Sequence, residues 1–159
     1  MVFPIQSASS APAHTAPPLR VATAGEALFD LIEEPDGRLK PCAGGAVYNL
    51  TRALGLQGVG TLYLNPLSGD MLGRQLAHGL HDAGVALAFP TPVRAPSALA
   101  LAALDTEGKA SYSFYRDGVA DRQVTAAALT AACTALPELQ VVATGCLALV
   151  AQDAAVYPV

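Results

Sequence analysis

Several residue types that define other classes of protein are scarce or missing in this sequence. Its 159 residues include no tryptophan, only three cysteines and 14% charged residues. The net charge is −4, and there is no basic run that could neutralise nucleic-acid phosphates or an anionic membrane surface. Apolar runs are broken well short of the ~18 residues that cross a bilayer. We therefore expect neither nucleic acid nor a membrane as a partner.

The cysteines and the first residues of the chain bear on its location. Cys42, Cys133 and Cys146 are widely spaced and odd in number, which matches neither a disulfide framework nor a zinc site. They are predicted to be free thiols in a reducing compartment. Residues 1–19 are rich in alanine, proline and serine, and they lack the basic start and apolar stretch of a signal peptide. We interpret them as a disordered tail of a cytoplasmic protein, ahead of a folded region at 20–159.

Hydrophobic residues make up 52% of the chain, and from Arg20 onwards strand-like runs alternate with helical patterns. This alternation predicts an α/β fold with an open, mostly parallel sheet flanked by helices. Strands are expected at 21–32, 38–41, 61–67, 97–104, 111–116 and 140–144. Helices are expected at 46–56, with Val47, Leu50 and Leu54 buried, at 126–136, and between a cap at Ser68 or Asp70 and Gly84. The last strand is predicted to be buried, yet only a stub follows to cover the sheet, which indicates that part of the fold is missing.

Two features could carry chemistry. Asp30 interrupts the apolar segment ALFDLI, where a buried carboxylate costs several kcal/mol without hydrogen-bond donors. It is either an acceptor for polyol hydroxyls at the end of a strand, or a solvated residue where the strand has left the core. The paired glycines Gly44 and Gly45, followed by Asn49, form either a ligand-binding turn at a helix start or an ordinary tight loop. No P-loop or dinucleotide fingerprint is present, which disfavours an oxidoreductase.

Four segments, in this order, resemble the PfkB/ribokinase family of sugar kinases, especially its fructokinases and 2-keto-3-deoxygluconate kinases. They are residues 25–32 (GEALFDLI), 44–49 (GGAVYN), 61–70 (TLYLNPLSGD) with Gly73, and 114–122 (FYRDGVADR). Val47 replaces a common proline and Ser68 a common glycine. The resemblance implies a ribokinase-like fold with a small β lid, built from hairpins at 38–41 and 111–116, and a chain that lacks the carboxyl-terminal half.

The resemblance also implies which residues bind substrate. A sugar would be held by Asp30, by the backbone of Gly44 and Gly45 and by Asn49, with Arg116 and its neighbour Tyr115 contacting it from the lid. Without the resemblance, Arg116 could equally be a solvated charge after a strand.

Catalysis is where the chain departs from the family. Family members transfer phosphoryl groups from ATP with Mg²⁺ and use an aspartate in a Gly-Ala-Gly-Asp motif, which this chain does not contain. Asp70 in Ser-Gly-Asp is interpreted as a helix cap. No catalytic, nucleotide-binding or metal-binding residue is assigned. We expect a sugar-binding chain that is inactive alone and forms a homodimer through the lid. The alternative is a noncatalytic sugar-binding or interaction module.

Overall fold

The computed structural model describes residues 17–104 and 110–149, and in these ranges the strands form two four-stranded sheets. Residues 105–109, between the strands expected at 97–104 and 111–116, and residues 1–16 of the predicted tail lie outside them. No helix in the described part is long and apolar enough to cross a membrane.

The first sheet, here called the main sheet, is entirely parallel. Its spatial order is β5 (Ala86–Leu87), β4 (Thr61–Tyr63), β1 (Val21–Ala24) and β8 (Val141–Thr144). The helices are α1 (Ala46–Leu56), α2 (Met71–Asp82), α3 (Ala126–Thr134) and the short α4 (Cys146–Leu149). One apolar cluster joins Tyr63 of the sheet to α1 and α2, and a second joins Ala22 and Leu62 to Leu129 of α3. The expected parallel sheet with helices on its faces is therefore present.

The second sheet, here called the lid sheet, is mixed. Its order is β3 (Leu39–Gly44), β2 (Leu28–Glu33), β6 (Ala98–Leu104) and β7 (Ala110–Tyr115). The outer pairs, β2 with β3 and β6 with β7, are antiparallel, whereas β2 and β6 run parallel. Both predicted hairpins therefore contribute to one small sheet.

The single strand expected at 21–32 is wrong, because the chain changes sheets in the middle of this segment. β1 ends at Ala24, and β2 begins at Leu28 in the lid sheet. At the corner, the amide of Gly25 donates to Oδ1 of Asn65 (2.7 Å) and its carbonyl accepts from the hydroxyl of Tyr63 (2.8 Å). A Cβ on Gly25 would lie 2.5 Å from Cγ2 of Val47, so a glycine is needed here. Two side chains thus satisfy the backbone groups that a continuous strand would have paired.

Helix α1 is present as expected, but its buried face differs from the prediction. Val47 is buried together with Tyr48 and Thr51, while Leu50 is 41% exposed. Thr51 can enter the core because its hydroxyl donates to the carbonyl of Val47 (2.6 Å). The same hydroxyl lies 2.7 Å from the hydroxyl of Thr23. A hydrogen-bonded threonine is therefore buried where the apolar pattern had predicted Leu50.

Helix α2 confirms the interpretation of Asp70 as a cap. Oδ1 of Asp70 accepts from the amide of Gly73 (2.6 Å), and Oδ2 accepts from the amide of Ser97 (2.7 Å), just before β6. Burial alone would raise the pKa of Asp70, but hydrogen bonds from Gly73, Ser97 and Ser68 lower it. The carboxylate therefore joins the start of α2 to the lid sheet.

The last strand was predicted to be buried, and this is wrong. Val141 and Val142 of β8 are 52% and 54% exposed. Within the described part of the chain β8 pairs with β1 alone, so it forms one edge of the main sheet.

Candidate functional site

Asp30 and the paired glycines lie together where β2 and β3 meet. A Cβ placed on Gly44 would collide with Oδ2 of Asp30, so the carboxylate rests directly on the α-carbon of this glycine. Gly45 has a φ of +103°, which disfavours other residues, and a Cβ there would lie 2.8 Å from the carbonyl oxygen of Glu26. Both glycines therefore permit close approaches that a side chain would block.

The Asp30 carboxylate is half-buried, and burial raises its pKa above the ordinary value. It has no hydrogen-bond partner among residues 17–104 and 110–149. A carboxylate in this state retains its full capacity to accept hydrogen bonds. Asp30 lies where β2 passes from buried residues (Leu28 and Phe29) to exposed ones (Ile32 and Glu33), so its role as an acceptor for sugar hydroxyls stays a prediction beside the alternative of a solvated residue.

Asn49 lies in the first turn of α1, immediately after the glycine turn. The backbone amide of Asn49 donates to the carbonyl of Gly45 (2.9 Å), and the Asn49 side chain is exposed. The structure thus places the amide side chain of Asn49 one helical turn from Gly45, free to donate and accept.

The register of the lid sheet determines which lid residues share a face with Asp30. Asp30 is paired with Ala100, which is paired with Phe114, whereas Tyr115 belongs to the neighbouring row with Leu99. Directly paired residues lie on the same face and adjacent rows on opposite faces. Tyr115 therefore faces away from Asp30, because it is one residue out of phase. Its predicted substrate contact is not supported by this geometry.

Two aromatic residues that the sequence prediction missed lie on the Asp30 face instead. Phe114 and Tyr112 are both about half exposed, and their rings stack with centroids 6.0 Å apart. The strand period of two could have identified them once the register was known.

Arg116 follows β7 and is turned towards the interior. Its Nη1 donates to the carbonyl of Leu147 (3.1 Å), and its buried Nε has no partner among the described residues. It is therefore not the solvated charge of the alternative interpretation, and its contact with substrate stays a prediction.

Two buried carboxylates near this turn were also missed. Glu26 and Asp121 are only 2% and 4% exposed. Oε1 of Glu26 accepts from the amide of Ala46 (2.9 Å), whereas Oε2 and both carboxylate oxygens of Asp121 lack hydrogen-bond partners in the described part of the chain. Burial raises the pKa of Asp121 to about 6. Both residues belong to the family-like segments, but their spacing gave no sign of burial.

The described residues do not provide a metal site. No group of three or more His, Cys, Asp or Glu side chains there could hold a metal ion. His78 and Asp82, which pair at 2.8 Å, are exposed on α2. No residue of the described ranges is therefore assigned to a metal ion.

Comparison with known proteins identifies relatives of this fold and site. A fructokinase of Rhizobium leguminosarum bv. trifolii is 34% identical over 109 residues, which are 66% of this chain and 33% of that protein. The structure of a fructokinase from Xylella fastidiosa is 31% identical with a TM-score of 0.61, covering 69% of this chain and 37% of the other. A putative ribokinase II from E. coli has the same fold, with a TM-score of 0.70 at 17% identity. No family model matches the sequence.

A helix-flanked parallel sheet, a second small sheet and a glycine turn beside a carboxylate define a ribokinase-like domain. With the fructokinase relatives, they place the chain in the PfkB/ribokinase family of sugar kinases. The chain spans a fifth to a third of the length of the curated relatives it matches.

Proposed function

We propose that the chain is the sugar-binding part of an ATP-dependent sugar kinase whose substrate is fructose or a related sugar. The contact between the Asp30 carboxylate and Gly44 is the observation that carries this proposal. It combines an acceptor without a partner among the described residues with a backbone that a ligand can approach closely. The fructokinase relatives favour fructose among the sugars.

Each element of the site has a distinct part in this proposal. Sugar hydroxyls donate to Asp30, and the side chain of Asn49 donates to or accepts from a neighbouring hydroxyl. The backbone of Gly44 and Gly45 lets the ring come close. The stacked rings of Tyr112 and Phe114, on the same face of the lid sheet, pack against the C–H groups of the sugar.

Phosphoryl transfer needs more than this site. The family reaction depends on groups that neutralise charge on the transferred phosphate, which ATP-bound Mg²⁺ and protein donors supply. One Xylella fastidiosa fructokinase structure contains bound ATP, but no residue of this chain is assigned to nucleotide or metal. We propose that the chain, a cytoplasmic protein, binds sugar without transferring phosphate by itself. The half-exposed valines of β8 support a further strand or layer packing there in the complete kinase.

Calorimetry and a coupled kinase assay test this proposal on the same protein. We expect fructose to bind more tightly than ribose or 2-keto-3-deoxygluconate, and we expect no ADP formation with ATP and Mg²⁺. Turnover by the chain alone would contradict the inactive state, and absence of binding to all three sugars would contradict the site.

Complementation separates a kinase fragment from a noncatalytic module. The chain is mixed with the carboxyl-terminal half of a related fructokinase, and ADP formation is measured again. Restored turnover supports a kinase part. Fructose binding without restored turnover favours a sugar-binding or interaction module.

We also propose that the chain forms a homodimer through its lid sheet, because Leu39 and Tyr115 leave apolar surface exposed on the face opposite Asp30. We expect a dimer in analytical ultracentrifugation and a Tyr115→Ser variant whose dimer dissociation constant is about tenfold higher. Leu56→Ser, which removes an exposed apolar residue at the end of α1, is the matched control and should sediment as wild type does. A wild-type monomer at high concentration would contradict the proposal.

A further inference from the structure

Glu26 provides the cap that the sequence of α1 lacks. The N-cap residue Gly45 has no side chain, and the first turn contains no acidic residue. The first amides of a helix need acceptors from outside the helix. Oε1 of Glu26 accepts from the amide of Ala46 (2.9 Å), and its carbonyl oxygen accepts from that of Tyr48 (3.2 Å). The position of the glycine turn therefore depends on a residue about twenty positions earlier in the chain.

Asp121 is fixed to the same corner of the fold. It lies in a short 3₁₀ helix, Ala120–Arg122, and its carbonyl oxygen accepts from Nδ2 of Asn65 (2.7 Å). Oδ1 of the same asparagine accepts from the amide of Gly25, the residue before Glu26 (2.7 Å). Asn65 thus bridges the segments that carry the two buried carboxylates.

Charges of both signs surround Asp121. The charged groups that act on it are Arg116 from the end of β7, Glu26 from the corner between the sheets, and Arg122 from its own short helix. Burial raises the pKa of Asp121, and the negative charge of Glu26 adds to this. The Arg116 guanidinium, the backbone amide of Ala27 and, least of all, Arg122 lower it. Three carboxylate oxygens and Nε of Arg116 lack partners among the described residues. Two buried carboxylates and the buried Nε of Arg116 therefore lie at one corner of the fold with hydrogen-bonding capacity to spare.

We propose that Glu26, Arg116 and Asp121 form one positioning cluster, in which the charge on Asp121 sets how firmly Glu26 holds the first amides of α1. An ionised Asp121 repels the Glu26 carboxylate and weakens its bond to the Ala46 amide, and Arg116 opposes this repulsion. The significance of the cluster for sugar binding rests on the proposed function of the glycine turn.

The cluster also connects the lid to the glycine turn. Arg116 directly follows the last lid strand, so a displacement of this strand moves the guanidinium relative to both carboxylates. Loss of this compensating charge increases the repulsion between Glu26 and Asp121. The position of the lid and the order of the first turn of α1 are therefore coupled through charge.

Amide hydrogen exchange of Ala46 and Tyr48, measured by NMR without sugar between pH 5 and pH 8, tests the cluster. After correction for intrinsic exchange, we expect wild-type protection to fall about fivefold as Asp121 ionises near pH 6. Asp121→Asn should keep the higher protection across the range. Glu26→Gln, which retains an acceptor but no charge, should lower it throughout.

A matched control and a sugar titration make the outcomes distinct. Asp117→Asn removes an exposed carboxylate from the same segment and should follow the wild-type profile. Identical profiles for wild type and Asp121→Asn overturn the cluster. If Asp121→Asn does not fold, wild-type amide protection that stays constant between pH 5 and pH 8 is sufficient to overturn the cluster. Fructose calorimetry follows. A higher fructose affinity of Asp121→Asn than of wild type above pH 6 supports the coupling. If the amide exchange shows the expected dependence on pH but no fructose binds, the cluster is supported and the proposed function is overturned.

Discussion

We expect the Asp30→Ala variant to bind fructose about thirtyfold more weakly than wild type. The reason is that hydrogen bonds to a charged group contribute about 1.5–3 kcal/mol, and the Asp30 carboxylate rests directly on the glycine turn. Its raised pKa shows that the ionised form is disfavoured in the folded protein, so its loss should leave stability unchanged or higher. Calorimetry with fructose measures the affinity, and urea unfolding measures the stability.

Two further variants define what this result means. Gly44→Ala leaves Asp30 in place but puts a methyl group against its carboxylate, and it should weaken fructose binding as well. Glu33→Ala removes an exposed carboxylate at the end of the same strand and should bind fructose as wild type does. Equal affinity of wild type and Asp30→Ala would remove Asp30 from the site.

The second large effect concerns stability and pH. The pKa of Asp121 is about 6 in the folded protein, against an ordinary value of 3.8 for an aspartate in the unfolded chain. Between these values the folded state holds a proton that the unfolded state has lost, so the free energy of unfolding falls as pH rises. The stabilisation is fully present below pH 3.8 and is lost as pH rises through about 6. Two pKa units correspond to about 3 kcal/mol.

Asp121→Asn lacks this titration, so the difference in unfolding free energy between wild type and variant should change by about 2.5 kcal/mol between pH 4 and pH 8. Urea unfolding at a series of pH values measures this difference. Any cost of burying the asparagine amide is the same at every pH, so it does not affect how this difference varies with pH. The pH dependence that comes from Asp30 and Asp70 is common to both proteins and cancels in the difference. Asp117→Asn is the control. A difference that does not vary with pH would show that Asp121 has an ordinary pKa.

The sequence predicted those parts of the fold that depend on local patterns. The cap at Asp70, the hairpin of β2 and β3 and the glycine turn follow from caps, turn residues and strand periodicity, and the structure contains all three. Asp30 was identified because a carboxylate in an apolar strand stands out. The sequence pointed to Tyr115, whereas Phe114 is the aromatic neighbour that shares a face with Asp30, because the register of a sheet is set by the neighbouring strands.

The missed features depend on contacts between distant residues. Nothing near Thr51 in the sequence shows that Thr23 will meet its hydroxyl, so the apolar Leu50 was expected in the core instead. Glu26 was placed inside the strand expected at 21–32, Asp121 lay outside every expected strand and helix, and only the folded chain brings the two residues to one buried corner. A single sequence does not contain the pairing information that would reveal such contacts.

Gly25 determines how the two sheets are joined. Its amide and its carbonyl are both bonded, to Asn65 and Tyr63, and these partners follow or end the neighbouring strand β4. The chain therefore leaves the main sheet from a point that is held on both sides. A displacement of the lid sheet at this point would break both hydrogen bonds. Gly25 is thus a fixed corner that sets where the lid sheet begins relative to the main sheet.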